Sequence, residues 1–129
     1  MSSYPCPCCG RLVYEAPPGS FQICPVCGWE DDLVQLRWPG ASGTNRRPLM
    51  EAQLLYREVG ITHSEFVPKI RLPGEFWPLE AGFRVIVPEF DDFEPDGVME
   101  TEWPEDRTRL YWWRPHFWRR SSRDVDSEA

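Results

Sequence analysis

Leu49, Ala52, Leu55, Tyr56 and Val59 recur at spacings of three and four. That periodicity predicts an amphipathic helix over 48–59, with one apolar stripe facing inward. Pro48 suits the first helical position, where its missing N–H costs nothing, and Gly60 suits the left-handed position just past the end. Before it, 33–47 reads as a connecting loop, because Pro39-Gly40-Ala41-Ser42-Gly43-Thr44-Asn45 is rich in helix and strand breakers. Beyond residue 67 the pattern changes. Prolines recur too often for long helices, Phe83-Arg84-Val85-Ile86-Val87 reads as a short strand stopped by Pro88, and 108–114 is β-prone by composition. Residues 121–129 are expected to be a disordered polar tail.

Near the N-terminus the spacing of cysteines replaces hydrophobic periodicity as the informative signal. Cys6-Pro7-Cys8-Cys9-Gly10 and Cys24-Pro25-Val26-Cys27-Gly28 each contain C-P-x-C-G. A tight turn between two cysteines two residues apart aims both sulfurs the same way, and the following glycine tolerates the backbone angles such a knuckle needs. Two knuckles supply four thiolates, the ligand set of a closed tetrahedral site, so Cys6, Cys9, Cys24 and Cys27 are the expected metal ligands. One zinc ion is expected; iron, which the same four sulfurs suit in rubredoxin-type sites, is the alternative. Between the knuckles, Arg11–Tyr14 and Ser20–Ile23 are expected to pair as strands around Pro17-Pro18-Gly19, as in a zinc ribbon. Cys8 is a surplus thiol. It is expected to be a packed spectator, with a redox-sensitive accessory thiol as the other reading.

The chain has 129 residues and a formal net charge of −7. That balance opposes a long nucleic-acid footprint over the whole molecule. No secretory h-region and no apolar run of membrane-spanning length occur, so a cytoplasmic protein without a membrane partner is expected. Five cysteines clustered in 22 residues then point to metal rather than disulfides. Residues 89–106 carry nine acids and no base, and Arg107, Arg109, Arg114, Arg119, Arg120 and Arg123 follow. Two uses of this pattern compete. The acids Asp91, Asp92 and Glu94, with Arg114, Trp118, Arg119 and Arg120, are candidate contacts for a protein partner, which the acidic charge suggests is basic. Alternatively the 107–123 arginines and aromatics meet nucleic acid. Against the nucleic-acid use stands self-complementarity, which is preferred to it: Tyr111, Trp112 and Trp113 as a core strand, with the arginines paired to the acids. No catalytic triad, phosphate loop or open metal site is visible, so no enzyme activity is expected.

Tyr4-Pro5-Cys6-Pro7-Cys8-Cys9-Gly10, Ile23-Cys24-Pro25-Val26-Cys27 and Trp29-Glu30-Asp31-Asp32, with a weaker continuation through Asn45, Leu49, Glu51-Ala52 and Gly60, resemble the cysteine-rich CPCC family of mostly bacterial proteins. The resemblance implies a small metal-binding domain followed by a helix, and no reaction. Trp29 is expected to cover the metal site or the helix. Glu30, Asp31 and Asp32 are expected to be solvated acids pointing away from the thiolates, with capping a turn, meeting an arginine such as Arg37, or forming an acidic lip for a partner as the other readings. The fold expected is small α+β: a zinc-ribbon or rubredoxin-like hairpin module over 1–66 with one supporting helix, and a short-stranded, aromatic-rich portion over 67–120. The function expected is a protein–protein interaction module with a structural metal, immunity- or regulator-like.

Overall fold

A C-P-x-C-G turn reverses the chain within five residues, so the segments flanking each knuckle are brought side by side. In the computed structural model, which describes residues 4–59 and 77–119, each knuckle closes its own hairpin. β1 (Tyr4–Pro5) pairs antiparallel with β2 (Leu12–Tyr14), Tyr4 opposite Tyr14 and Pro5 opposite Leu12, with an irregular register between. The second hairpin is tied by Phe21 N–H to Asp31 O, Asp31 N–H to Gln22 O and the isolated bridge Ile23–Glu30. The expected pairing of Arg11–Tyr14 with Ser20–Ile23 therefore does not form. Each arm instead finds a partner across its own knuckle, where the cysteine turn has already reversed the chain. What joins the two hairpins here is a side chain: Glu15 N–H donates to Gln22 Oε1 at 2.9 Å.

A helix occupies part of the expected 33–47 loop. Helix α1 (Leu33–Arg37) starts at Asp32, whose side chain accepts from Val34 N–H and Gln35 N–H. Five residues give no measurable periodicity, and the aspartate cap was the available signal. Helix α2 (Leu49–Val59) runs where the apolar stripe placed it, with Ala52 N–H donating to Pro48 O. Gly60 lies outside the described residues. Leu49 and Ala52 are buried and Tyr56 half-buried, all packed in the cluster that contains the cysteines. Gln53, from the same helix, donates Nε2–H to Pro7 O at 2.9 Å.

The expected C-terminal strands are absent among the described residues. Residues 83–87 join no ladder: Ile86 N–H donates to the Gln53 side chain, and Arg84 O accepts from Trp112 Nε1–H. Residues 108–114 form a 3-10 helix (Arg107–Leu110), capped by Asp106, and then turns. Side chains answer these backbone groups, so aromatic composition gives burial without strands. Tyr111, Trp112 and Phe117 are nonetheless core, in one hydrophobic cluster with Cys6, Trp29 and Leu49. Residues 78–80 lie along β2: Leu12 N–H donates to Pro78 O and Glu80 N–H to Gly10 O, both at 2.8 Å, around an Arg11–Leu79 bridge.

Candidate metal centre

The two knuckles repeat one backbone geometry. Cys6 N–H donates to Arg11 O at 2.8 Å and Gly10 N–H to Cys6 O at 2.7 Å; Cys24 N–H donates to Trp29 O at 2.9 Å and Gly28 N–H to Cys24 O at 3.0 Å. Gly10 and Gly28 both close their turns at positive φ, 79° and 93°, a region that side chains disfavour. Facing each other, the knuckles bring Cys6, Cys9, Cys24 and Cys27 together, with all four sulfurs within 4.8 Å of one another.

The sulfur positions test whether a metal fits. Cys6 Sγ lies 3.6 Å from Cys27 Sγ, and Cys9 Sγ 3.7 Å from Cys24 Sγ. A zinc–sulfur bond of about 2.3 Å in a tetrahedron separates its sulfurs by about 3.8 Å. The spacing is thus that of ligands around one ion, and well beyond a disulfide bond. Val26 N–H and Cys27 N–H point at Cys24 Sγ from 3.3 and 3.4 Å, offsetting negative charge on that sulfur. All four cysteines are at most 5% exposed. Burial pushes the bare Cys9 and Cys27 thiols well above the ordinary thiol range. Cys24 is the exception. Burial opposes its thiolate too, but hydrogen bonds from Cys27, Cys6 and Cys9 and from the Cys27 backbone hold it well below that range. A bound cation is what would let all four sulfurs carry charge in this interior. The four cysteines can therefore hold a metal ion.

The surroundings are more ordered than the sequence suggested. Trp29 is fully buried, and its carbonyl accepts from Tyr14 OH at 2.7 Å. Cys8 stands outside the four-sulfur group and is buried, at the knuckle position that Val26 occupies in the other hairpin. Asp31 and Asp32 are buried and Glu30 is partly buried, which corrects the expectation of three solvated acids. Asp31 accepts from Ser20 N–H and Oγ–H. Asp32 caps α1 and also accepts from Thr44 N–H and Oγ1–H. Asn45, weakly flagged by sequence, brackets the second hairpin. Its Oδ1 accepts from Glu30 N–H and its Nδ2–H donates to Glu30 O, both at 2.9 Å, so a side-chain amide stands where a strand would pair. Gln35 holds that amide in place and is fully buried. Sequence reasoning passed over Gln35 and Gln53, because a glutamine on a short helix signals nothing without its partners.

The candidate partner-binding residues are engaged within the chain. Asp91 forms a bidentate pair with Arg84 at 2.6 and 2.9 Å. Arg119 lies 3.2 Å from Asp92, 3.9 Å from Glu94 and 3.0 Å from Glu100. Arg114 pairs with Glu80 at 2.6 Å. Glu94 meets Arg37 at 2.6 Å, and Trp118 stacks on that guanidinium with Trp38 and Trp103, at 4.5–4.9 Å from the ring centroids. Arg120 lies outside the described residues. The acidic run also pairs with Arg84, just before it, and with Arg37, far from it in sequence.

Among the described residues no helix is long and apolar enough to cross a membrane. No curated protein and no solved structure matches the chain. A sequence profile of the cysteine-rich CPCC family does match, over residues 4–75, which is more than half of the 129. Both knuckles, both hairpins and α2 lie within that span, and the chain belongs to the cysteine-rich CPCC family.

Proposed function

We propose that this is a cytoplasmic, non-catalytic protein in which one structural zinc, held by Cys6, Cys9, Cys24 and Cys27 in a zinc-ribbon-like pair of knuckles, organises a surface for binding another protein. The observation that carries the reading is the convergence of four buried thiols at tetrahedral spacing. Four sulfur ligands leave no coordination position for a reacting water, so the metal folds the chain rather than performing hydrolysis. Structural zinc supplies about 10–16 kcal/mol at neutral pH, ample for a chain this small.

The partner reading changes in detail. With Asp91, Asp92 and Glu94 paired internally, the exposed acids Glu89, Asp96, Glu102 and Glu105 are those open to a basic partner, in an immunity- or regulator-like role. The nucleic-acid alternative draws less support, because Arg114 and Arg119 are in ion pairs and Trp112 is core. Elemental analysis with a visible spectrum tests the metal. One zinc per chain and a colourless protein support the proposal, whereas one iron and a red oxidised form favour an electron carrier. A basic partner whose affinity survives neutralisation of Glu89, Asp96, Glu102 and Glu105 would sink the interaction surface as drawn.

A further inference from the structure

Residues 77–83 lie along the outgoing arm of the first knuckle, Gly10–Leu12. Pro78 O and Glu80 N–H bond to Leu12 and Gly10, and Trp77 O accepts from Arg11 Nη1–H at 3.2 Å. The Phe83 ring lies so close to Gly10 that a Cβ at that residue would collide with it. Gln53, 3% exposed, reaches both parts at once, donating to Pro7 O and accepting from Ile86 N–H at 3.1 Å. The second knuckle is braced differently, by the Asn45 side chain on Glu30. The direct contacts of 77–86 with this knuckle thus fall at Gly10–Leu12, and Gln53 extends them to Pro7, within the loop that must open if Cys6 and Cys9 are to leave a metal.

We propose that residues 77–86 are a strap over the first knuckle that gates loss of the metal, with Gln53 as the positioning residue that couples strap to knuckle. This rests on the zinc reading above. A competing chelator cannot reach Cys6 and Cys9 while the strap is seated, because both sulfurs are buried beneath a loop held from outside. Metal release then waits on strap opening. By linkage, whatever loosens the strap loosens the knuckle.

The test uses the full, zinc-loaded chain mixed with rising concentrations of the colorimetric chelator 4-(2-pyridylazo)resorcinol. The expected release rate rises and then reaches a plateau, set by opening rather than by chelator. Phe83→Ala and Gln53→Met each raise that plateau, roughly tenfold, while keeping one zinc per chain. Gln53→Met keeps length and apolar volume but removes both hydrogen bonds. A rate that climbs in proportion to chelator without levelling overturns the gate, and this needs only the wild-type protein, whether or not the variants fold. A plateau unmoved in folded variants overturns the role of the strap and of Gln53. A chain that purifies without metal would instead refute the zinc reading, so the two failures are distinguishable.

Discussion

Asp31 shows how much a single side chain can do at the second hairpin. Burial is the main reason its pKa rises from 3.8 to about 6, and hydrogen bonds from Ser20 and Gly19 offset only part of that. The folded chain therefore keeps a proton that the unfolded chain loses between about pH 4 and 6. Ionised Asp31 lowers stability above about pH 6, on the order of 2–3 kcal/mol, and the penalty fades as pH falls. Asp31→Asn keeps an acceptor for Ser20 and removes the charge. It should be more stable than wild type at pH 7.5, with the advantage shrinking toward pH 5. Denaturant melts of the zinc-loaded proteins at both pH values check this, and an advantage that stays constant would contradict it. Cys8 has a simpler expectation. It sits outside the four-sulfur group, so Cys8→Ser should leave metal stoichiometry unchanged on elemental analysis. Loss of metal there would mean that the ligand set is wrong.

At the scale of elements, short pieces are held by side chains reaching backbone. Asp32 serves four donors at once, the N–H groups of Val34, Gln35 and Thr44 and the Thr44 hydroxyl. Asp32→Ala should cost about 2 kcal/mol or more in thermal or denaturant unfolding, since it removes a helix cap and strands buried donors. Arg37 and Glu94 join α1 to the C-terminal portion through an ion pair whose two side chains are fully buried. Glu94→Gln should cost about 3–5 kcal/mol, because it leaves a guanidinium buried without its counter-charge. Replacing both, as Arg37→Met with Glu94→Leu, should recover much of that loss; equal destabilisation in the single and double variants would contradict the assignment. These elements also mark where sequence reading stopped. Helix α2 was legible because eleven residues display a stripe. The knuckles were legible because C-P-x-C-G states a ligand spacing. Helix α1 was not, since five residues show no period; the hairpin partners were not, since each arm could pair on either side; and the strandless C-terminal portion was not, since it rests on long-range side-chain bonds such as Gln53 to Ile86 or Trp112 to Arg84 that leave no periodic trace.

Over the whole molecule, the cysteines are also core. Cys6, Cys24 and Cys27 are fully buried in the same cluster as Tyr111, Trp112 and Phe117, from the far end of the chain. The convergence of four sulfurs was predictable; their contact with the aromatic C-terminal portion was not, because that portion carries no metal motif. On the structural-metal proposal, this shared core would couple metal retention to global folding. Cys24→Ser should accordingly lose metal and native tryptophan packing together.

The most direct measurement follows metal and fold in the same sample: the zinc-loaded chain is titrated with chelator at neutral pH, and bound zinc and tryptophan fluorescence are recorded side by side after equilibration. The account predicts one zinc released per chain, with both signals changing over the same chelator range and returning together when zinc is restored. Full loss of zinc with tryptophan packing unchanged would contradict a structural metal centre.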